Sequence, residues 1–262
     1  MNNIEDGIIA NETFAGLRGK KVSFLGDSIT TFNGYNPSGY ATWYPNANSD
    51  ITSVEKTWWW QFLQASGMEL VKNCAWSGSK VTGTSTGTSA EAGCSDKRIA
   101  DLKGDDGTVP EVIIVFIGIN DFSASIDVGD WDGTYIPTEG AITNVSDAYA
   151  LLAYKIANAY PDAEVFICTL LECKKGNWNS GYDSTSLVKY NNAIRFVAES
   201  FGFNILDMHA CGINYYNISD YTVDLLHPNA TGAKRLAKKA LAEVSTKSIH
   251  NVLLADETVT NR

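Results

Sequence analysis

The sequence predicts an α/β fold in three layers, α/β/α, with a five-stranded parallel sheet at the centre. Three observations lead there. Short apolar, strand-like runs alternate along the chain with stretches whose apolar residues recur every three or four positions, the helical period. Residues 112–117 are apolar throughout and mostly β-branched, as a central parallel strand covered on both faces requires. A chain of 262 residues, 44% of them hydrophobic, can also bury one substantial core without disulfides or metals. Parallel strands need crossovers, and right-handed crossovers distribute helices over the two faces of the sheet.

The elements follow in order, without an internal repeat. Val22, Ser23, Phe24 and Leu25 read as the first strand. After a loop, Val54, Trp58, Phe62 and Ala65 recur at helical spacing, and Thr52 and Glu55 are spaced as a capping box for that helix. Residues 69–73 form a second strand and 112–117 the third. Val145, Ala148, Leu152, Ile156 and Ala159 mark a helix that must stop before Pro161, whose ring and missing N–H break the ladder. Residues 164–168 are the fourth strand, 186–201 a helix, 203–207 the fifth strand and 230–244 a closing helix. The stretch 79–109, with Gly83, Thr84, Ser85, Thr86, Gly87, Thr88 and Ser89 in succession, reads as a loop. So does 122–143, which holds Trp131, Tyr135 and Pro137 among Asp and Gly. The expected organisation is an arm over 1–19, one domain over 20–244 and a polar tail over 245–262.

In such sheets, sites gather at the carboxyl ends of the strands. Ser28 follows the first strand, Ser77 and Gly78 the second and Asn120 the third. A serine after a strand and a tight turn, with Gly26 two residues before it, can expose its hydroxyl and aim its backbone N–H at a bound carbonyl; alone, it reads more readily as a helix cap or turn serine. Asp224 and His227 tip the balance. Three residues apart, the carboxylate can accept from one ring nitrogen and fix the tautomer while the other nitrogen faces Ser28. His209, just past a strand, and His250, in the tail, are weaker candidates for the base. Asp27 and Asp121 are expected to hold loops by hydrogen bonds.

Four blocks together carry a resemblance: Gly26-Asp27-Ser28, Asn73-Cys74-Ala75-Trp76-Ser77-Gly78, Gly118-Ile119-Asn120-Asp121 and Asp224-Leu225-Leu226-His227-Pro228. They resemble the GDSL or SGNH hydrolase family, named for its Ser, Gly, Asn and His in separate blocks. The resemblance implies a flavodoxin-like SGNH hydrolase fold and a cofactor-free ester hydrolase. It implies Ser28 as nucleophile, His227 as base and Asp224 as its orienting acid. It assigns an oxyanion hole to the backbone N–H groups of Ser28 and Gly78 and the side-chain amide of Asn120. Glycine permits the close backbone approach, and a neutral amide keeps its protons at any working pH. The sequence departs from the usual pattern at Cys74-Ala75-Trp76 and at Leu225-Leu226, where a glycine-containing pair is commoner; neither change removes a functional atom.

Composition bounds the rest. A net charge of −10 argues against a nucleic-acid partner, and the basic runs Lys174-Lys175 and 234–239 read as solvated faces. No apolar run approaches the ~20 residues of a membrane span. Five cysteines, an odd number without a CxxC pair, fit reduced thiols and a cytoplasmic location, with export after signal-peptide removal as the alternative. Asp130-Trp131-Asp132-Gly133 lacks the spacing of a calcium loop, and no metal or nucleotide motif is present. Seven tryptophans include Trp43, Trp76, Trp131 and Trp178 outside the predicted helices, in loops expected to border the site. Indole faces stack on sugar rings, so Trp76, Trp131 and Trp178 are expected to bind substrate. The expected substrate is a carbohydrate ester with a small acyl group, acetyl first. Alternatives are a lipase, lysophospholipase or thioesterase on the same machinery, or a catalytically silent carbohydrate-binding module.

Overall fold

Five strands, β1 (Lys21–Gly26), β2 (Glu69–Asn73), β3 (Val112–Phe116), β4 (Glu164–Cys168) and β5 (Asn204–Leu206), pair in the order β2-β1-β3-β4-β5, all parallel. They belong to a computed structural model that describes residues 14, 16–83, 91–174 and 184–249, with the backbone alone at 184–186. The helices are α1 (Trp58–Ser66), α2 (Asp96–Ala100), α3 (Ile119–Ser123), α4 (Val145–Ala159), α5 (Ser184–Ser200), α6 (Ile218–Tyr221) and α7 (Ala230–Lys247).

The chain runs outward from β1 to β2, then reverses and runs through β3, β4 and β5 to the other edge. With right-handed crossovers that reversal switches the face on which the next helix lands. Accordingly α1 packs with α7, while α2 packs with α4 and α4 with α5. The point of reversal lies between β1 and β3, where loops on the two sides diverge and leave a crevice. All five residues of β3 are buried, as their uniform apolarity requires. On the α1 side, Phe24 meets Trp58 edge-on at 5.6 Å and Phe62 at 6.5 Å, and Trp58 and Trp59 are fully buried beside it. Large aromatic areas of this kind dominate core energetics.

Several boundaries differ from the sequence expectation. Residues 54–56 form a separate 3-10 turn, and α1 starts only at Trp58, capped by Thr57, whose side chain accepts from the Trp60 N–H. Thr57 is extended, which interrupts the helix that Thr52 and Glu55 would have capped. The short α2 lies within 79–109, and the closing helix continues to Lys247. Beyond it, Ser248 is buried and donates to Glu164, as does the Ile249 N–H, so the domain extends past residue 244. At the other end Leu17 is fully buried in the core, so the last part of the arm is docked.

The fold also buries a cation that no sequence pattern marks. Arg98, on α2, is wholly buried, and its Nη2 donates to the carbonyls of Gly26 and Cys74, both at 2.9 Å. Those carbonyls lie at and just beyond the carboxyl ends of β1 and β2, so the guanidinium joins the two strands at that edge of the sheet. Hydrogen bonds from a charged donor are each worth about 1.5–3 kcal/mol, less what removal of a desolvated charge returns. Arg98→Met should therefore cost about 3 kcal/mol in denaturant unfolding and lower the melting temperature by roughly 6–12 °C. A loss below ~1 kcal/mol would mean the strand ends do not depend on the guanidinium.

Candidate active site

The Ser28 turn begins where β1 ends. A Cβ on Gly26 would lie 2.9 Å from the Thr30 Cβ and 3.1 Å from the Phe116 carbonyl oxygen, so only glycine lets the turn close against β3. Asp27 caps the 3-10 turn Ser28–Thr30 by accepting from the Ile29 N–H at 3.1 Å. Ser28 is thereby held nearly buried, 4% exposed, with its Oγ 2.9 Å from His227 Nε2.

His227 comes from the loop before α7. Asp224 acts on it twice: Oδ1 accepts from the His227 backbone N–H at 2.8 Å, and both carboxylate oxygens lie 3.0–3.1 Å from ring Nδ1. The three-residue spacing is thus a turn closed by the same carboxylate that orients the ring. A proton on Nδ1 satisfies that contact and leaves the Nε2 lone pair facing Ser28. The turn is completed by Leu225 at φ +64°, the left-handed region, which costs a residue with a Cβ about 1–2 kcal/mol. Leucine in place of glycine before His227 therefore preserves the site's atoms at the expense of backbone strain. The Val223 N–H donates to the His227 carbonyl at 2.8 Å, and Thr222 bridges to Pro228.

The remaining blocks are tied to the same edge. The Gly26 carbonyl accepts from the Trp76 N–H at 3.0 Å, and Ser79 Oγ reaches it at 3.5 Å, which draws the 76–79 loop against the Ser28 turn. Gly78, between them, has φ +80°. Asn120, in the first turn of α3, donates from Nδ2 to the Ser79 carbonyl at 2.9 Å. An amide has two N–H donors, so this bond fixes the side chain and leaves one proton for a ligand. The arrangement can take the Ser28 proton onto His227, hold the resulting charge against Asp224, and offer N–H donors beside the attacked carbonyl.

Two buried carboxyls lie behind the site. Burial pushes Asp27 from an ordinary value of 3.8 up to about 7, with the nearby Asp121 adding to the rise and Arg98 opposing it. Burial raises Asp121 to about 6, against the hydrogen bonds it receives from Thr82 Oγ1 and the Val81 and Thr82 N–H groups. Both hold loops, as expected from their positions in the sequence.

The tryptophans divide differently from the expectation. Trp131 is 5% exposed, its Nε1 donates to the Tyr135 carbonyl, and its ring stacks on Phe201 and meets Phe196. It packs along α5 towards the end from which β5 departs and does not border the site. A loop indole looks alike in sequence whether it anchors or binds. Trp76 stands at the right edge but is 6% exposed, sandwiched against Tyr40 at 3.9 Å. Trp178 lies outside the described residues, as does His250. Trp43, in a loop expected to border the site, stacks on His227 with ring centroids 4.0 Å apart and planes 8° from parallel. His209 stays apart from the triad; its backbone N–H donates to Thr169.

A family model described as GDSL-like Lipase/Acylhydrolase matches residues 20–198. Among solved structures, one described as a GDSL-like lipase from Bacteroides uniformis is 26% identical, over 87% of this chain and 96% of that one, with a TM-score of 0.66. A similarly described protein from Bacteroides ovatus is 24% identical over 84% and 95%, at 0.64. An acetyl xylan esterase from Geobacillus stearothermophilus shares the fold at 19% identity over 87% and 95%, with a TM-score of 0.54. No curated protein matches the chain in sequence.

The buried carboxyls set a pH dependence of stability. An acid whose folded pKa exceeds its unfolded value binds more protons when folded, so stability falls as pH rises from about 4 to about 7 and then levels off. Asp27→Asn keeps an acceptor for the Ile29 N–H and removes that penalty. Relative to the wild type it should gain little at pH 4 and up to about 4 kcal/mol at pH 8, at 1.36 kcal/mol per pH unit. Denaturant midpoints at both pH values provide the measurement; equal differences at the two would show that Asp27 titrates normally.

Proposed function

The chain belongs to the GDSL-like lipase/acylhydrolase family and is an ester hydrolase, and from that premise we propose that it is a serine esterase removing small acyl groups, acetyl first, from carbohydrates. The observation that carries the chemistry is the unbroken relay from Ser28 Oγ through the His227 ring to Asp224, 2.9 Å on one side and 3.0 Å on the other. Ser28 Oγ attacks the ester carbonyl carbon as its proton passes to Nε2, and the carbonyl π pair moves onto oxygen. The oxyanion is met by the N–H groups of Ser28, Gly78 and Asn120. Collapse returns the Nε2 proton to the departing alcohol and leaves an acyl group on Ser28; water, deprotonated by the same nitrogen, releases the acid.

Two observations support the small acyl group and the sugar. Ser28 and His227 are only 4% and 6% exposed, so an ester reaches them through a narrow approach. The acetyl xylan esterase from Geobacillus stearothermophilus shares the fold over most of both chains. A second reading, a lipase, lysophospholipase or thioesterase, is favoured by Leu225, an exposed apolar side chain two residues from the base.

Ser28→Ala and His227→Ala should each abolish nearly all turnover, and the double variant should be little worse than either, because the residues act as a unit. Asn120→Ala should lower kcat about a hundredfold with KM nearly unchanged, since its donor is matched to charge that exists only in the transition state. More than about a tenth of wild-type activity in Ser28→Ala would remove the nucleophile assignment.

Acetate release from acetylated oligosaccharides, run beside p-nitrophenyl esters of increasing chain length, tests the substrate. Acetate esters should outrun octanoate by roughly tenfold or more, about 1.4 kcal/mol in the barrier. Faster cleavage of octanoate would select the second reading.

A further inference from the structure

The Trp43 indole is the outer wall of the catalytic histidine, and two hydrogen bonds fix the segment that carries it. The Trp43 N–H donates to Thr31 Oγ1 at 2.9 Å, and that hydroxyl donates to the Ser28 carbonyl, also at 2.9 Å. The next residue, Tyr44, is buried, and its hydroxyl donates to the Pro228 carbonyl at 2.6 Å, one residue beyond His227. Residues 43 and 44 are thus tied to the nucleophile's turn on one side and to the base's loop on the other. The indole lies flat on the imidazole, 4.0 Å between centroids and 8° between planes, and meets the Tyr44 ring edge-on at 4.5 Å.

We propose that Trp43 is a positioning residue that holds the His227 ring in the plane joining Ser28 to Asp224 and stabilises the imidazolium formed during turnover. This rests on the esterase reading of Ser28 and His227. In the ground state the flat contact blocks rotation of the ring about its long axis, which would break both the Nδ1 and the Nε2 contacts. When the Ser28 proton reaches Nε2, the ring becomes a cation against the face of an indole, the aromatic with the strongest attraction for positive charge. The stacking then gains strength only as charge develops, which is the condition for accelerating the step. Other charged or titratable groups near the ring are Asp224 on its own loop, Asp27 behind the nucleophile, Asp50 against the start of α7 through the Ala230 N–H, and the Tyr44 phenol. All of them are retained when Trp43 is replaced.

The test compares Trp43→Leu and Trp43→Phe with the wild type. Kinetics on p-nitrophenyl acetate give kcat, KM and the pH profile of kcat/KM. Proton NMR of the free protein follows the His227 ring, one of three histidines. Trp43→Leu should lower kcat between about two- and thirtyfold with KM within a factor of about two. Its rising pH limb and its His227 titration should both move to lower pH, and Trp43→Phe should restore part of each. A merely structural role moves the titration the other way, because a gap admits water, which favours the charged ring. An unmoved or raised titration, or unchanged kcat, overturns the proposal; so does a rise in KM confined to acetylated oligosaccharides, which would make the indole a sugar platform. If Trp43→Leu does not fold, Trp43→Phe decides by the same signs, its smaller ring offering a weaker face. Should the wild type hydrolyse no ester, the esterase reading fails while the NMR titration still tests the stacking.

Discussion

The carbonyl of Gly26, at the last residue of β1, holds the catalytic edge together. It accepts from the Trp76 N–H and from buried Arg98, with Ser79 Oγ at the limit of reach, so the loop after β2 and the helix α2 converge on one oxygen. The next two residues are Asp27 and Ser28. A carbonyl at the end of a parallel strand has no further strand partner, and in a dry interior its hydrogen bonds must come from elsewhere. Here they come from the segments that carry Gly78 and, through the Ser79 carbonyl, Asn120. One satisfied acceptor thus sets the spacing of three blocks that lie far apart in sequence.

Buried charge follows from that arrangement. Arg98 has no carboxylate within ion-pair distance among the described residues, and its charge acts on Asp27 across the turn. Burial raises both Asp27 and Asp121, and Asp121 adds to the rise at Asp27. Folding accepts these costs because each group satisfies backbone N–H or C=O groups in loops that water cannot reach. The strain at Leu225 is of the same kind. A left-handed residue with a Cβ is tolerated because Asp224, the Val223–His227 bond and the Thr222–Pro228 bridge overdetermine the turn.

His227 illustrates how several weak constraints fix one ring. Asp224 holds one edge, Ser28 meets the other, and Trp43 covers a face. The ring is 6% exposed, so each of these contacts acts where solvent screens little.

The sequence by itself determined the five strands, the four longer helices and the sheet's parallel sense, because a period of two or of 3.6 and a wholly apolar run are local records of which faces are buried; the short helices α2, α3 and α6 left no such record. It also determined the candidate site at Ser28, Gly78, Asn120, Asp224 and His227, since a strand end, a three-residue turn and a block order are properties of short segments. Tertiary structure decided the rest. Thr57 rather than Thr52 starts α1, because an extended residue inside an amphipathic pattern leaves the pattern intact. Arg98 gave no signal, since an arginine in a polar stretch is indistinguishable from a solvated one until β1 and β2 bring their carbonyls to it. Trp131 and Trp43, both in loops expected to border the site, part company for the same reason. Both are loop indoles among polar residues, and whether such a ring packs on Phe201 or on His227 depends on contacts between segments about 70 and 184 residues apart, a distance no local period reports.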